Sequence, residues 1–163
     1  MTGPAGIFES FERCARESTG RALARVCGGG PVFTAGALLD HAMTTARELR
    51  RAGLRRGDLA IVAGASGISL IRAILAVWSC DAAAMAADPQ IAGPELEELE
   101  RTFSPRVIIR VNGRGELHAG AAANGDATTA LPGSTAVIKL TSGSTGRPRG
   151  IAVTGDQLLA DTH

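Results

Sequence analysis

Apolar residues recur along this chain in runs of two periods. Leu39, Ala42, Met43, Ala46 and Leu49 repeat at helical spacing, while Asp40, Thr44, Arg47, Arg50 and Arg51 fall on the other side. That spacing predicts an amphipathic helix over about Ala35–Ala52, with Thr34 able to cap its start and Gly53 its end. After the turn Arg56-Gly57-Asp58, the run Leu59-Ala60-Ile61-Val62-Ala63 is apolar without alternation, as in a parallel strand covered on both faces. Gly64-Ala65-Ser66-Gly67 then opens a second helix, Ile68 to about Cys80, apolar nearly all round and suited to packing on a sheet. Ala82–Ala87 reads as a further buried strand, although alanine brings little β propensity.

A third helix starts at Gly93-Pro94, places Glu95, Glu97 and Glu98 at its positive end, turns Leu96, Leu99 and Phe103 to one side, and stops at Ser104-Pro105. Val107-Ile108-Ile109 is the next strand. Asn112–Gly133, rich in Gly, Ala, Asn and Thr, reads as a surface loop or a weak hairpin. Ala136–Leu140 is a strand, Thr141–Gly150 a loop, Ile151-Ala152-Val153 a second strand, and Asp156–Asp161 the start of a helix. Strands alternating with helices at this spacing predict an α/β fold: a mostly parallel sheet flanked by helices and joined by right-handed crossovers. Residues 1–31 form a lead-in, with Ile7, Phe8 and Phe11 in a short helix and Cys27-Gly28-Gly29-Gly30-Pro31 as a Gly-rich hinge; residues 32–163 form the domain proper.

Composition narrows the function. Of the 163 residues 45% are hydrophobic, and 17 Lys+Arg against 16 Asp+Glu leave a formal charge of +1, which disfavours nucleic-acid binding through bulk charge, a coiled coil and a disordered tail. With four Phe, one Trp and no Tyr the core has to be aliphatic, and little is left for base stacking. Cys14, Cys27 and Cys80 form no Cys-x-x-Cys pair, and with no secretory leader and no run of the ~20 apolar residues that a membrane helix needs, a cytoplasmic protein without a membrane span is expected. His41, His118 and His163 lack ligand spacing with any Cys or carboxylate cluster, so no metal ligand is assigned. Gly28-Gly29-Gly30 follows no strand and reads as linker, Arg50-Arg51 with Arg55-Arg56 as a solvated helix end, and Trp78 as core.

The chemistry concentrates in Leu140-Thr141-Ser142-Gly143-Ser144-Thr145-Gly146-Arg147-Pro148-Arg149-Gly150. Small residues let a backbone approach an anion, hydroxyls cluster, and arginines close the segment, all of which favours polyphosphate. It is no Walker loop, since no Gly-Lys-Ser/Thr follows and a strand, where that loop has a helix, comes next.

With its flanking strands, the segment resembles the signature loop of the AMP-forming acyl-adenylating superfamily, which includes acyl-CoA synthetases, peptide-synthetase adenylation domains and luciferases. The family pattern Thr-Ser-Gly-Ser/Thr-Thr-Gly-x-Pro-Lys-Gly is matched at all but one fixed position, Arg149 standing where Lys is usual. Leu54–Val62, with Gly57-Asp58, and Ala82 to Asp88-Pro89 are similar to upstream family segments, so the resemblance covers about residues 32–163 as the N-terminal portion only.

The resemblance implies an ATP-dependent ligase, with magnesium, that activates a carboxylic acid as acyl-adenylate and passes it to a thiol, either CoA or a carrier-protein phosphopantetheine. It implies that the cofactor-binding residues are Thr141, Ser142, Gly143, Ser144, Thr145, Gly146 and Arg149, around the β- and γ-phosphates. The family's acyl pocket, adenine and ribose motifs and catalytic lysine have no counterpart in these residues, so no catalytic residue is assigned and the chain is expected to be inactive alone. The alternative is a non-catalytic nucleotide-binding or interaction module that pairs with a complementing chain or with itself. Family members also often carry His in the segment that here reads Val153-Thr154-Gly155-Asp156-Gln157-Leu158, where Gly155 stands in its place.

Overall fold

A computed structural model describes residues 2–25, 30–64, 67–112, 115–123, 131–141 and 148–160. In chain order the elements are α1 (Pro4–Glu17), β1 (Ala22–Arg25), β2 (Val32–Thr34), α2 (Ala35–Arg51), β3 (Leu59–Ala63), α3 (Gly67–Trp78), β4 (Ala83–Ala86) and α4 (Gly93–Phe103). They continue with β5 (Val107–Val111), β6 (Leu117–Ala121), β7 (Thr135–Thr141), β8 (Arg149–Thr154) and α5 (Gly155–Ala160). Six strands make one sheet of order β6-β5-β3-β4-β7-β8. The four inner strands pair in parallel, and β6 and β8 close the two edges antiparallel. This is the mostly parallel α/β sheet that the alternating pattern predicts.

Direction of travel sets the layers. The chain leaves β3, forms α3 and returns as β4 on one side; it then forms α4 and returns as β5 on the other side of β3. Two right-handed crossovers running in opposite directions put their helices on opposite faces. Accordingly Ala73, Ala76 and Val77 of α3 join Ala46 and Leu49 of α2 against Ala60, Val62, Ala84, Val107 and Ile109. Leu96, Leu99 and Phe103 of α4 pack on the reverse face against Ile61, Met85, Ile108 and Ile138. Phe8 and Ala15 of α1 sit outside α2 and α3, on Leu38, Leu39, Ala42 and Leu75.

Local chemistry fixes the ends. Thr34 Oγ1 accepts the Ala37 amide at 3.2 Å at the start of α2. At its end Leu54 N–H bonds Leu49 O and Gly53 N–H bonds Arg50 O, a Schellman closure that requires the positive φ of +97° at Gly53. The first turn of α1 is capped from a distance: Asp81 Oδ1 accepts the Ala5 amide at 3.1 Å while its Oδ2 pairs with Arg56 Nε at 2.9 Å.

Three details go beyond the sequence reading. Asn112–Gly133 contains the edge strand β6, so of its two readings the hairpin forms, through Glu116 N–H to Asn112 Oδ1 at 3.0 Å and a Gly115 φ of +77°. Strand β1 of the lead-in pairs antiparallel with β2 at the start of the domain, which their short lengths and mixed composition did not announce. Trp78 is half-buried, and its Nε1–H donates to Ala136 O at 2.9 Å, tying the end of α3 to the start of β7. Cys27, Gly28 and Gly29 of the expected hinge lie outside the described residues.

At the entry to β3, Asp58 Oδ2 accepts the Arg55 amide at 2.7 Å and faces Arg106 Nε at 3.4 Å, with side chains 7% and 19% exposed. Removing the carboxylate leaves a largely buried guanidinium and an amide without this acceptor. Asp58→Ala is therefore expected to cost about 3 kcal/mol, read as a lower denaturation midpoint at unchanged slope, with Asp58→Asn losing less because it keeps an acceptor for Arg55.

Candidate functional site

The parallel strands β3, β4, β5 and β7 all end at one edge of the sheet, the edge at which α/β folds gather ligands. Strand β7 runs to this edge, and the signature segment leaves from its end and returns as β8. The two strands hold the segment between matched ends: Thr141 lies opposite Arg149, Leu140 opposite Gly150 and Lys139 opposite Ile151. Thr141 Oγ1 also reaches Arg149 O at 3.4 Å. Both Thr141 and Arg149 are exposed, and among the described residues no carboxylate pairs with the Arg149 guanidinium. Of the other residues singled out from the sequence, Ser142, Gly143, Ser144, Thr145 and Gly146 lie outside the described residues.

Strand β4 reaches the same edge at Ala86 and continues into Asp88, whose Oδ1 accepts the Gln90 amide at 2.7 Å to turn the chain toward α4. Alanines along β4 leave room here for main chain to crowd. At the end of β3, a Cβ on Gly64 would stand 2.9 Å from Val111 O, so glycine permits β3 and β5 to close together.

Gly150 carries a packing role that the motif alone does not disclose. A Cβ there would lie 2.6 Å from Ile138 Cγ2 and 2.8 Å from Phe103 Cε1, so β8 can approach the ring of α4 only without a side chain. The second departure from the family pattern, Gly155, has a similar reason. A Cβ at Gly155 would stand 2.4 Å from Thr2 O and 3.2 Å from Gly3 O: the N-terminal main chain fills the space that a side chain needs. Next to it, the Thr2 amide donates to Asp156 Oδ1 at 2.9 Å. Thr154 and Gln157 bracket the same turn as a capping box, Gln157 N–H on Thr154 Oγ1 at 3.3 Å and Thr154 N–H on Gln157 Oε1 at 2.9 Å.

Other candidates stay apart. Among the described residues no three His, Cys, Asp or Glu side chains group as metal ligands, and no helix is long and apolar enough to cross a membrane. A cavity of about 260 Å³ opens at the opposite edge, where Pro4, Arg56, Asp81 and Thr135 line it; it is remote from the signature segment.

No family model matches the chain. It is 30% identical over 135 residues to phenyloxazoline synthase MbtB of Mycolicibacterium paratuberculosis, a match that covers 75% of this chain and 12% of that protein. Its fold is that of the fatty acyl-adenylate ligase from Legionella pneumophila solved with acyl adenylate and pyrophosphate, at a TM-score of 0.73 and 19% identity over 95% of this chain and 31% of that one. The Klebsiella oxytoca NpsA N-terminal subdomain superposes with a TM-score of 0.69 at 17% identity, over 91% of this chain and 40% of that one. The open, mostly parallel sheet flanked by helices is the fold of the N-terminal subdomain of adenylating enzymes. The chain matches, in sequence and in fold, the N-terminal portion of the AMP-forming acyl-adenylating ligase superfamily, and spans well under half the length of each relative described.

Two outcomes follow from this geometry. Gly150→Ala is expected to overpack Ile138 and Phe103 and to cost about 1 to 3 kcal/mol, seen as a lower melting temperature that Phe103→Leu partly restores in the double variant. Hydrogen bonds from the Thr2 hydroxyl and amide hold the Asp156 carboxyl below its usual range. The tie is then fully present above the ordinary Asp range and lost as the pH falls through the lowered value. The Thr2 amide resonance is expected to move with the Asp156 titration and to lose that response in Asp156→Asn.

Proposed function

We propose that this chain supplies the polyphosphate grip of an ATP-dependent, AMP-forming ligase that activates a carboxylic acid as acyl-adenylate for transfer to a thiol. The observation that carries the reading is the placement of the signature segment: it leaves the carboxyl end of the parallel strand β7 and is closed by the pair Thr141 and Arg149. In the reaction a carboxylate oxygen attacks the α-phosphorus of ATP, the bond to the bridging oxygen breaks, and pyrophosphate leaves with its electron pair. A thiol then displaces AMP from the acyl carbon.

Within this scheme Thr141, Ser142, Ser144 and Thr145 donate hydroxyl hydrogen bonds, Gly143 and Gly146 offer backbone N–H groups, and Arg149 supplies the positive charge to the departing phosphates. Hydrogen bonds to charged groups contribute ~1.5 to 3 kcal/mol each, so three or four give millimolar to micromolar binding after ordering costs. Arg149 in place of Lys keeps the charge and presents a planar fork able to hold one phosphate with two N–H groups. Its exposed position and the absence of an ion-pair partner among the described residues suit that task. The reacting carboxylate and α-phosphate need to be held at roughly 3 to 3.5 Å. Gripping only the leaving end stabilises ground and transition states alike, so on this reading these residues bind without turning over.

Pyrophosphate or ATP is expected to raise the melting temperature of the chain and to slow amide exchange over residues 141–150. Replacing Thr145 and Arg149 together by Ala should remove both effects; a double variant that still responds fully would place the anion elsewhere. Carboxylate-dependent exchange of labelled pyrophosphate into ATP should stay at the level of that variant, and exchange above it would show that these residues suffice for adenylation.

A further inference from the structure

The antiparallel register of β7 and β8 places residues directly opposite one another on a common face. Thr141 with Arg149, and Lys139 with Ile151, are such pairs two positions apart, so Lys139 and Arg149 are diagonal neighbours on one side of the hairpin. Leu140 and Gly150 take the other side, the side covered by Phe103 and Ile138. Lys139, Thr141, Arg149 and Ile151 are all exposed, so their face is open at the ligand edge of the sheet. Among the described residues neither cation has a carboxylate partner.

Two like charges set diagonally on a strand pair repel, and among the described residues no carboxylate forms an ion pair that would offset them. A strand position beside a core layer is also where an apolar or β-branched residue would stabilise the sheet more than lysine does. A ligand that carries negative charge on more than one phosphorus removes the repulsion and gains from both groups.

We propose that Lys139 is a second phosphate-binding cation of this site, which acts with Arg149 across the β7–β8 face to hold the distal part of a polyphosphate and to favour it over a single phosphate. The proposal rests on the reading of residues 141–150 as the polyphosphate grip and extends that grip from the loop onto the strand before it. Two successive phosphates span the two cations: Arg149 engages one at the mouth of the segment, and the lysine stem, two residues back along the strand, brings its ammonium to the next. Arg149 alone would hold a monophosphate almost as well as a diphosphate; the pair would not.

Binding of pyrophosphate and of inorganic phosphate to the full chain, measured by calorimetry at fixed ionic strength, tests this. Lys139→Met and Lys139→Gln are expected to weaken pyrophosphate about tenfold, the worth of one partly solvated charge-assisted hydrogen bond, and phosphate less than about twofold. Lys139→Arg should restore most of the pyrophosphate affinity. Because the side chain is exposed, melting temperature in the absence of ligand should be unchanged or slightly higher in Lys139→Met, which separates loss of a ligand contact from loss of fold. If pyrophosphate binds the Lys139 variants as tightly as the parent chain while Arg149→Ala weakens it, the role of Lys139 is overturned and the loop reading stands. Equal losses for phosphate and pyrophosphate overturn the discrimination assigned to the pair. A parent chain that binds neither anion overturns both readings together.

Discussion

Close approach of main chains through alanine is the constraint on which the rest of this molecule depends. A core with four Phe, one Trp and no Tyr cannot fill space with rings, and volume has to be removed by drawing backbones together. Ala42, Ala46, Ala60, Ala73, Ala76 and Ala82 are completely buried, and most of them lie where α2 and α3 meet the sheet. The same logic sets Gly64 against Val111 O and Gly150 against Phe103, where even a methyl group is too large. Tight layers hold the carboxyl ends of β3, β4, β5 and β7 in one row. Their order fixes where a loop that leaves β7 must stand.

Periodicity made the helices and the buried strands readable, since a 3.6-residue stripe and an uninterrupted apolar run each follow from one burial pattern. Alanine made β4 the faintest of these strands: Ala83–Ala86 has a strand's burial without a strand's propensity, and its neighbours β3 and β7 hold it extended. The β1–β2 pair was hidden for a related reason, because β1 is almost wholly exposed and has no buried face to give it a period, while β6 showed only as a weak hairpin because just Leu117 and Ala119 reach the core. Candidate chemistry was legible where it is written contiguously, in Thr141–Gly150. It was illegible where it depends on register: that Lys139 shares a face with Arg149, or that Gly155 faces Thr2, requires knowing which residues lie opposite.

The two departures from the family pattern differ in kind. Arg149 changes the group that meets the ligand and keeps its charge. Gly155 follows the end of β8 that lies away from the ligand edge; it makes room for Thr2 and Gly3, and the capping box of Thr154 and Gln157 together with Asp156 rebuilds the turn around that main chain. A position that family members often use for a side chain here leaves room for the N-terminal main chain, beside the hydrogen bond that joins Thr2 to Asp156, 154 residues away.

The strand order also bears on how the site comes into being. Strands β3 and β4 meet across one helix, and β5 joins beside them, whereas β7 docks on β4 through Ala84 and Val137 after a long stretch of chain has passed to the far edge and back. β7 and β8, by contrast, need only each other and a short connection. The hairpin is thus a local unit, quick to close, while its seat in the sheet is among the most non-local contacts in the chain and carries the larger loop-closure entropy. An anion held at the mouth of that hairpin would stabilise the strand whose seat in the sheet carries this larger closure cost, so that ligand and fold would reinforce one another at the same strand.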